Sequence, residues 1–283
     1  MSQLIPTDWP LYARYLAAFF LLSARYFIFA GIAYLAFYVW KKREWFFRKI
    51  QQKFPERKQI TTEMKYSIST FAIFALMIVF TGYLRKHGYV KPHPSLQESG
   101  TAYFLFASAF LIFFHDTYFY WAHRLMHVPF FYKHVHSVHH LSKDPTPWAA
   151  FAFHPFEAFI EIGFLPILLF IIPAPKLSYL ILSFWMILFN VMGHLGYEIF
   201  PRNFFKIPLV RWFNTSTNHN MHHKYVSCNY GLYFNIWDSI MGTNHKKYRE
   251  TFAEVTSRSN AADEPELTNE LAESISSKVK VSA

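Results

Sequence analysis

The chain has 283 residues, 53% of them hydrophobic and 21% aromatic, while only 16% carry a charge, against about 25% in soluble domains. That balance excludes disorder over most of the length, and the single cysteine, Cys228, excludes both an internally disulfide-stapled domain and a cysteine-based zinc finger. The formal charge of +10 sits between long apolar runs rather than within polar surface, which points to a membrane surface as the partner and away from nucleic acid.

About 20 mostly apolar residues cross a bilayer as a helix. Five runs qualify in chain order. Residues 15–40 carry only Arg25 as a charge, and residues 66–84 carry none. Residues 102–121 are apolar until His115 and Asp116, residues 156–172 hold Glu157 and Glu161, and residues 177–193 are uncharged. The break Pro173-Ala174-Pro175-Lys176 makes the last two runs a helical hairpin. The N-terminus has no basic stretch and no small-residue cleavage site, so residues 15–40 read as a retained span.

Loop charges set the orientation. Residues 41–65 hold nine Lys and Arg, residues 85–101 hold three and the first ten hold none, so the N-terminus is expected outside and residues 41–65, 122–155 and 194 onward on the cytoplasmic side. Residues 251–283 are rich in Ser, Ala, Asn and Thr, with six acidic residues, and read as a disordered tail. The expected fold is an all-α integral membrane protein with four to five transmembrane helices and a cytoplasmic, helical, histidine-rich metal-binding cap. Its regions are residues 1–100 (membrane helices and a basic loop), 101–250 (catalytic) and 251–283 (tail).

Twelve of the fifteen histidines fall between residues 115 and 223. His123 and His127 form an H-x-x-x-H, His136, His139 and His140 an H-x-x-H-H, and His219, His222 and His223 a second one, with His194 standing alone. On a helix, positions i, i+3 and i+4 share a face, so two imidazoles reach one ion and a triplet can divide its nitrogens between two neighbouring ions. Imidazole suits zinc, copper, iron and nickel, and no cysteine lies among the motifs to make a thiolate site. Zinc sites need three or four ligands, so nine imidazoles are better used by a pair of irons that are reduced from outside and react with O2. His115, Asp116, His154 and Glu157 are candidates for the groups that orient the ligands, Asp116 and Glu157 foremost. His134 points elsewhere on a helix, and His87, His93 and His245 read as surface residues.

The run His115-Asp116 to His123-Arg124-Leu125-Met126-His127, the triplets at 136–140 and 219–223, Phe153-His154-Pro155-Phe156-Glu157, Asn229-Tyr230-Gly231 and Asp238 to Thr243 closely resemble the fatty acid hydroxylase and sterol desaturase superfamily. The resemblance covers about residues 100–250 and rests on three histidine boxes in specific order and spacing. It implies a membrane-embedded non-haem di-iron oxygenase that hydroxylates or desaturates a lipid, with ligand roles on His123, His127, His136, His139, His140, His194, His219, His222 and His223. Asn190 stands where fatty acid hydroxylases often carry the first histidine of an H-x-x-x-H ending at His194, and the spacing from His123 to His127 is shorter than theirs. Both departures tilt the resemblance toward the sterol desaturase branch. No His-Pro-Gly-Gly haem signature is present, which implies a separate electron donor, a cytochrome b5 or ferredoxin with its reductase.

A fatty acyl, sphingolipid or carotenoid hydroxylase is the nearest alternative. From other classes come a zinc-dependent membrane hydrolase using Glu157 or Glu198 as base, and an inactive lipid-binding scaffold. Basic residues between 201 and 250 suit an acidic electron carrier or anionic lipid equally. The expected location is the endoplasmic reticulum membrane in a eukaryote or the inner membrane in a bacterium.

Overall fold

The computed structural model describes residues 5, 6 and 8–259. Its principal helices are α1 (Leu11–Tyr34, prolonged to Trp40 by a wider turn), α2 (Arg57–Lys86), α3 (Leu96–Met126), α4 (Pro155–Ile162), α5 (Phe164–Ile171), α6 (Lys176–Gly193), α7 (Ser216–Tyr225) and α8 (Tyr248–Ser257). No strand forms among the described residues, only isolated bridges pairing Lys49 with Tyr197 and Phe213 with Phe234.

Four helices, α1, α2, α3 and α6, are long and apolar enough to cross a membrane. The fifth expected crossing, residues 156–172, is instead two eight-residue helices. The local cause is legible. Pro166 has no N–H to bond the carbonyl of Ile162, and the Tyr118 hydroxyl takes the carbonyl of Ile160 at 2.7 Å. Gly163 sits at the joint because a Cβ there would lie 2.8 Å from the Tyr118 oxygen and 3.1 Å from the Ile160 oxygen. The chain still travels the full distance over this stretch. Pro173 O accepts from the Tyr103 hydroxyl at 3.3 Å and Ala174 O from His93 Nδ1 at 2.8 Å, so the turn before α6 lies beside the start of α3, far from its histidine-bearing end. The hairpin thus forms, with one broken arm.

His93 is therefore half-buried against Tyr179, not a surface residue as expected. His87 is exposed, while His245 is half-buried and stacked on Tyr225.

Helix α3 begins with a reciprocal cap: Ser95 Oγ accepts from Glu98 N at 3.1 Å, and Glu98 Oε2 accepts from Ser95 N at 2.6 Å. Buried small residues, Ala18, Ala75, Ala107 and Ala158, let the helices approach closely, which matters where lipid leaves packing rather than water exclusion as the driving force. An aromatic layer of Tyr26, Phe71, Phe151 and Trp148 joins α1 and α2 to the loop beneath the cap. That loop's Trp148 carbonyl accepts from both Tyr26 Oη (2.7 Å) and Ser67 Oγ (3.0 Å).

The basic segment after α1 packs on the cap. Ile50 N donates to Gly196 O at 3.0 Å, Glu198 N to Arg48 O at 3.0 Å, and buried Lys49 pairs with Asp144 at 3.1 Å. Disorder is expected from residue 251, but residues 251–258 are structured: α8 runs to Ser257 with Phe252 and Val255 buried, and Arg258 donates to the Lys49 carbonyl. Residues 260–283, the rest of that expectation, lie outside the described residues.

Candidate metal centre

His123 and His127 end α3, one turn apart, so both rings leave the helix on the same side. His194 caps the C-terminus of α6, and α7 carries His219, His222 and His223. The middle triplet is not on a regular α-helix as expected. Tyr132–His136 is a wide turn closed by Ser137 N to Tyr132 O at 2.8 Å, followed by a tight turn at His139–Leu141. The triplet spacing nonetheless presents three rings to the interior.

The nine imidazoles converge in two groups. His123, His127, His136, His140 and His222 form one, and His139, His194, His219 and His223 the other, with the donor nitrogens of each group within 4.8 Å of one another. Each triplet is divided: His136 and His140 join the first group and His139 the second, while α7 gives His222 to the first and His219 and His223 to the second. All nine are buried except half-buried His127.

The hydrogen bonds decide what this can hold. A carbonyl only accepts, so an imidazole nitrogen against one must carry the proton and leave the other nitrogen bare. His194 Nδ1 donates to Asn190 O (2.8 Å), His139 Nδ1 to Ala152 O (3.4 Å), His222 Nδ1 to Cys228 O (2.7 Å) and His123 Nδ1 to Tyr230 O (2.8 Å). The Nε2 atoms of His194 and His139 are then two bare lone pairs 3.3 Å apart, and neither can donate to the other. His123 and His136 repeat the arrangement at 3.1 Å, His136 Nδ1 being held by Glu157 Oε1 at 2.7 Å. Facing lone pairs in a dry interior repel, and a cation between them resolves the conflict. These donors fit nitrogen-preferring metal ions.

Burial, then neighbouring imidazoles, hold His127, His136, His139, His140, His219 and His223 far below the ordinary histidine range, and His222 likewise. His194 is brought down to about 4, chiefly by burial, against the opposing pull of the Asn190 carbonyl. The rings are therefore neutral at physiological pH, the form that ligates.

Of the four residues expected to orient ligands, only Glu157 touches one. Asp116 Oδ1 instead accepts from Tyr233 N (2.8 Å) and Phe234 N (3.3 Å), because the helix turn aims it at that loop's backbone. His115 lies between Phe164 and Tyr233, and His154 caps α4 by accepting from Phe156 N. His134 is exposed, bonded to Phe130 O.

The other acids hold the chain around the ligands rather than a ring. Asp238 accepts from Tyr230 N (2.9 Å) and Gly231 N (2.8 Å), fixing the peptide whose carbonyl holds His123. Glu198 accepts from Thr217 N and Oγ1 at the start of α7, and Asp144 from Asn220 Nδ2 (3.3 Å) within it. The carbonyls of Ala152, Asn190, Cys228 and Tyr230 escape sequence reading, since a backbone oxygen has no side-chain signature.

The fold and site define a class: a multi-pass helical membrane protein with a buried nine-histidine cluster at one end of its helices. Comparison with known proteins carries this further. Residues 108–243 match the model of the fatty acid hydroxylase family. A lathosterol oxidase of Homo sapiens is 32% identical over 191 residues, 66% of this chain and 62% of that protein. Delta(7)-sterol 5(6)-desaturases of Leptosphaeria maculans (31%; 80% of this chain, 60% of that protein) and Gibberella zeae (30%; 66% and 57%) are similar. The matching stretch of this chain, which carries all nine histidines, is similar to the fatty acid hydroxylase family and, within it, to proteins named as sterol oxidases and desaturases. This chain spans about three fifths of the length of these relatives. No solved structure matches it.

Proposed function

We propose that the chain is a membrane-bound non-haem oxidase whose nine histidines hold two iron ions and which uses O2 to hydroxylate or desaturate a C–H bond of a sterol or related lipid. One observation carries this: two adjoining sets of imidazoles, in each of which a pair of bare Nε2 atoms face one another, at 3.1 Å between His123 and His136 and 3.3 Å between His139 and His194. Two redox-active ions, when bound, supply the oxidising power that an unactivated C–H bond demands. The residues around them do the rest. Glu157 and the carbonyls of Tyr230, Ala152, Asn190 and Cys228 keep the protons on Nδ1 and aim each Nε2 inward. The apolar helices bring a lipid to that end without passing it through water.

The names of the relatives, lathosterol oxidase and Delta(7)-sterol 5(6)-desaturase, support a sterol as first choice among lipids. Electrons come from a separate cytochrome b5 or ferredoxin-type donor with its reductase. The basic segment 41–65 packs on the same end as the histidines, which favours a cytoplasmic metal centre by the charge rule, in the endoplasmic reticulum membrane of a eukaryote or the inner membrane of a bacterium.

Elemental analysis of detergent-purified protein should find about two irons per chain. A reductant-driven assay over sterol, fatty acyl, sphingolipid and carotenoid substrates should yield product only with O2. One zinc with turnover in the absence of O2 would replace this reading with a hydrolase. Metal-free protein after iron-replete expression would leave a lipid-binding scaffold.

A further inference from the structure

At the opposite end of the helices from the histidines, between α1, α2, α5 and α6, lies a narrow cavity of about 80 Å³ that opens to the surroundings, where a bound chain would extend. Most of its wall is apolar, with Phe74, Ile78 and Leu169. Four polar atoms without any hydrogen-bond partner belong to residues of that wall: Arg25 Nε, Arg85 Nε, His93 Nε2 and the Tyr179 hydroxyl. Arg25 and Tyr179 are 9% and 8% exposed, so no bulk water serves them. Among the described residues no Asp or Glu lines the cavity, so its two guanidinium charges meet no carboxylate in that wall. An unpaired buried cation is costly: Arg25 lies within the span α1, where a charge points to a function, and Arg85 lies half-buried at the end of α2.

We propose that this cavity binds a lipid with an anionic head, its chain against the apolar wall and its head between Arg85, His93 and Tyr179. His93 and Tyr179 have their rings 5.0 Å apart, and the His93 Nδ1 proton is committed to the Ala174 carbonyl, leaving a bare Nε2. An anionic head meets the charged orphans there: its oxygens accept from Arg85 and Tyr179 and its charge balances a guanidinium, and in a phosphate monoanion the remaining P–OH donates to His93 Nε2. Arg25, anchored to the Ser183 carbonyl at 2.8 Å, lines the same cavity, and its buried Nε has no hydrogen-bond partner among the described residues. A hydroxyl head would satisfy the imidazole and one donor but leave both arginine charges uncompensated. Carboxylate and phosphate share the required chemistry, so the head comes either from a single-chain fatty acid or from a two-chain phosphatidate. The site needs no reaction at the histidines, so lipid binding and turnover succeed or fail separately.

Equilibrium binding of radiolabelled oleate, oleyl alcohol and dioleoyl phosphatidate to the detergent-purified holoprotein tests this. Oleate or phosphatidate should bind saturably and the alcohol about tenfold more weakly or worse, and whichever anion binds better names the source. Arg85→Met should weaken the anion about tenfold, Arg85→Lys much less, and Tyr179→Phe by a few-fold, with metal content unchanged throughout. Arg43→Met, an exposed change outside the cavity, should alter nothing. Alcohol binding equal to the anions, or anion affinity indifferent to both Arg85→Met and Tyr179→Phe, would overturn the assignment. Should Arg85→Met not fold, Arg85→Lys and Tyr179→Phe still decide it.

Discussion

A single imidazole becomes a ligand or a bystander according to which nitrogen keeps its proton. At His139 and His222 the proton is fixed on Nδ1 by the carbonyls of Ala152 and Cys228, and each ring belongs to a different group. His139→Ala and His222→Ala should therefore each remove at least half of the bound metal and abolish turnover, with membrane insertion unchanged. Metal analysis and the turnover assay check this, and activity retained in either variant refutes the ligand assignment. His87→Ala should change nothing measurable. Glu157 offers a finer test, since Glu157→Gln keeps an acceptor for His136 Nδ1 but discards its charge. Weakening of metal retention by about 10–100-fold in a chelator competition is expected, and a larger loss for Glu157→Leu, which has no acceptor.

Among the elements, the broken arm α4–α5 departs furthest from the expected continuous span. Its hydropathy is that of a membrane helix, yet Gly163, Pro166 and the Tyr118 hydroxyl together end one helix and begin another. The break shortens α4 to a rigid piece that starts just after His154 and presents Glu157 to His136. Gly163→Ala would drive a Cβ into the Tyr118 oxygen and the Ile160 carbonyl. A loss of about 1–3 kcal/mol is expected, read as a lower melting temperature of the purified protein, with partial recovery in Gly163→Ala/Tyr118→Phe. An unchanged melting temperature would show that the joint is loose.

Over the whole molecule, the basic segment, the middle histidine triplet and α7 form one packed body. Lys49 bonds Asp144, Gln51 bonds both the Lys143 carbonyl (2.7 Å) and Asn220 (2.9 Å), and Arg258 reaches the Lys49 carbonyl. Cysteines introduced by Arg43→Cys and Lys133→Cys should thus react with an impermeant maleimide from one face of sealed vesicles, and Glu98→Cys only from the other. Labelling of 43 and 133 from opposite faces would break the topology.

The histidine content of the centre was readable in the sequence because metal chemistry demands particular residue types at spacings that survive whether the segment is an α-helix, as at 219–223, or a pair of irregular turns, as at 136–140. The long spans were readable too, since a bilayer sets a length and a composition that α1, α2, α3 and α6 all meet. Hydropathy could not register the break at Gly163, which depends on a tyrosine 45 positions away in the chain. Nor could it distinguish Glu157, which meets a histidine, from Asp116, which meets backbone, because both are acids flanking a motif and only the packing aims them. The division of each triplet between two groups, and the carbonyl acceptors at His123, His139, His194 and His222, are geometry assembled across the chain. The sequence by itself determined which atoms are available to bind metal. Tertiary structure alone decided which of them face one another, because that depends on how α3, α6, α7 and the intervening turns pack.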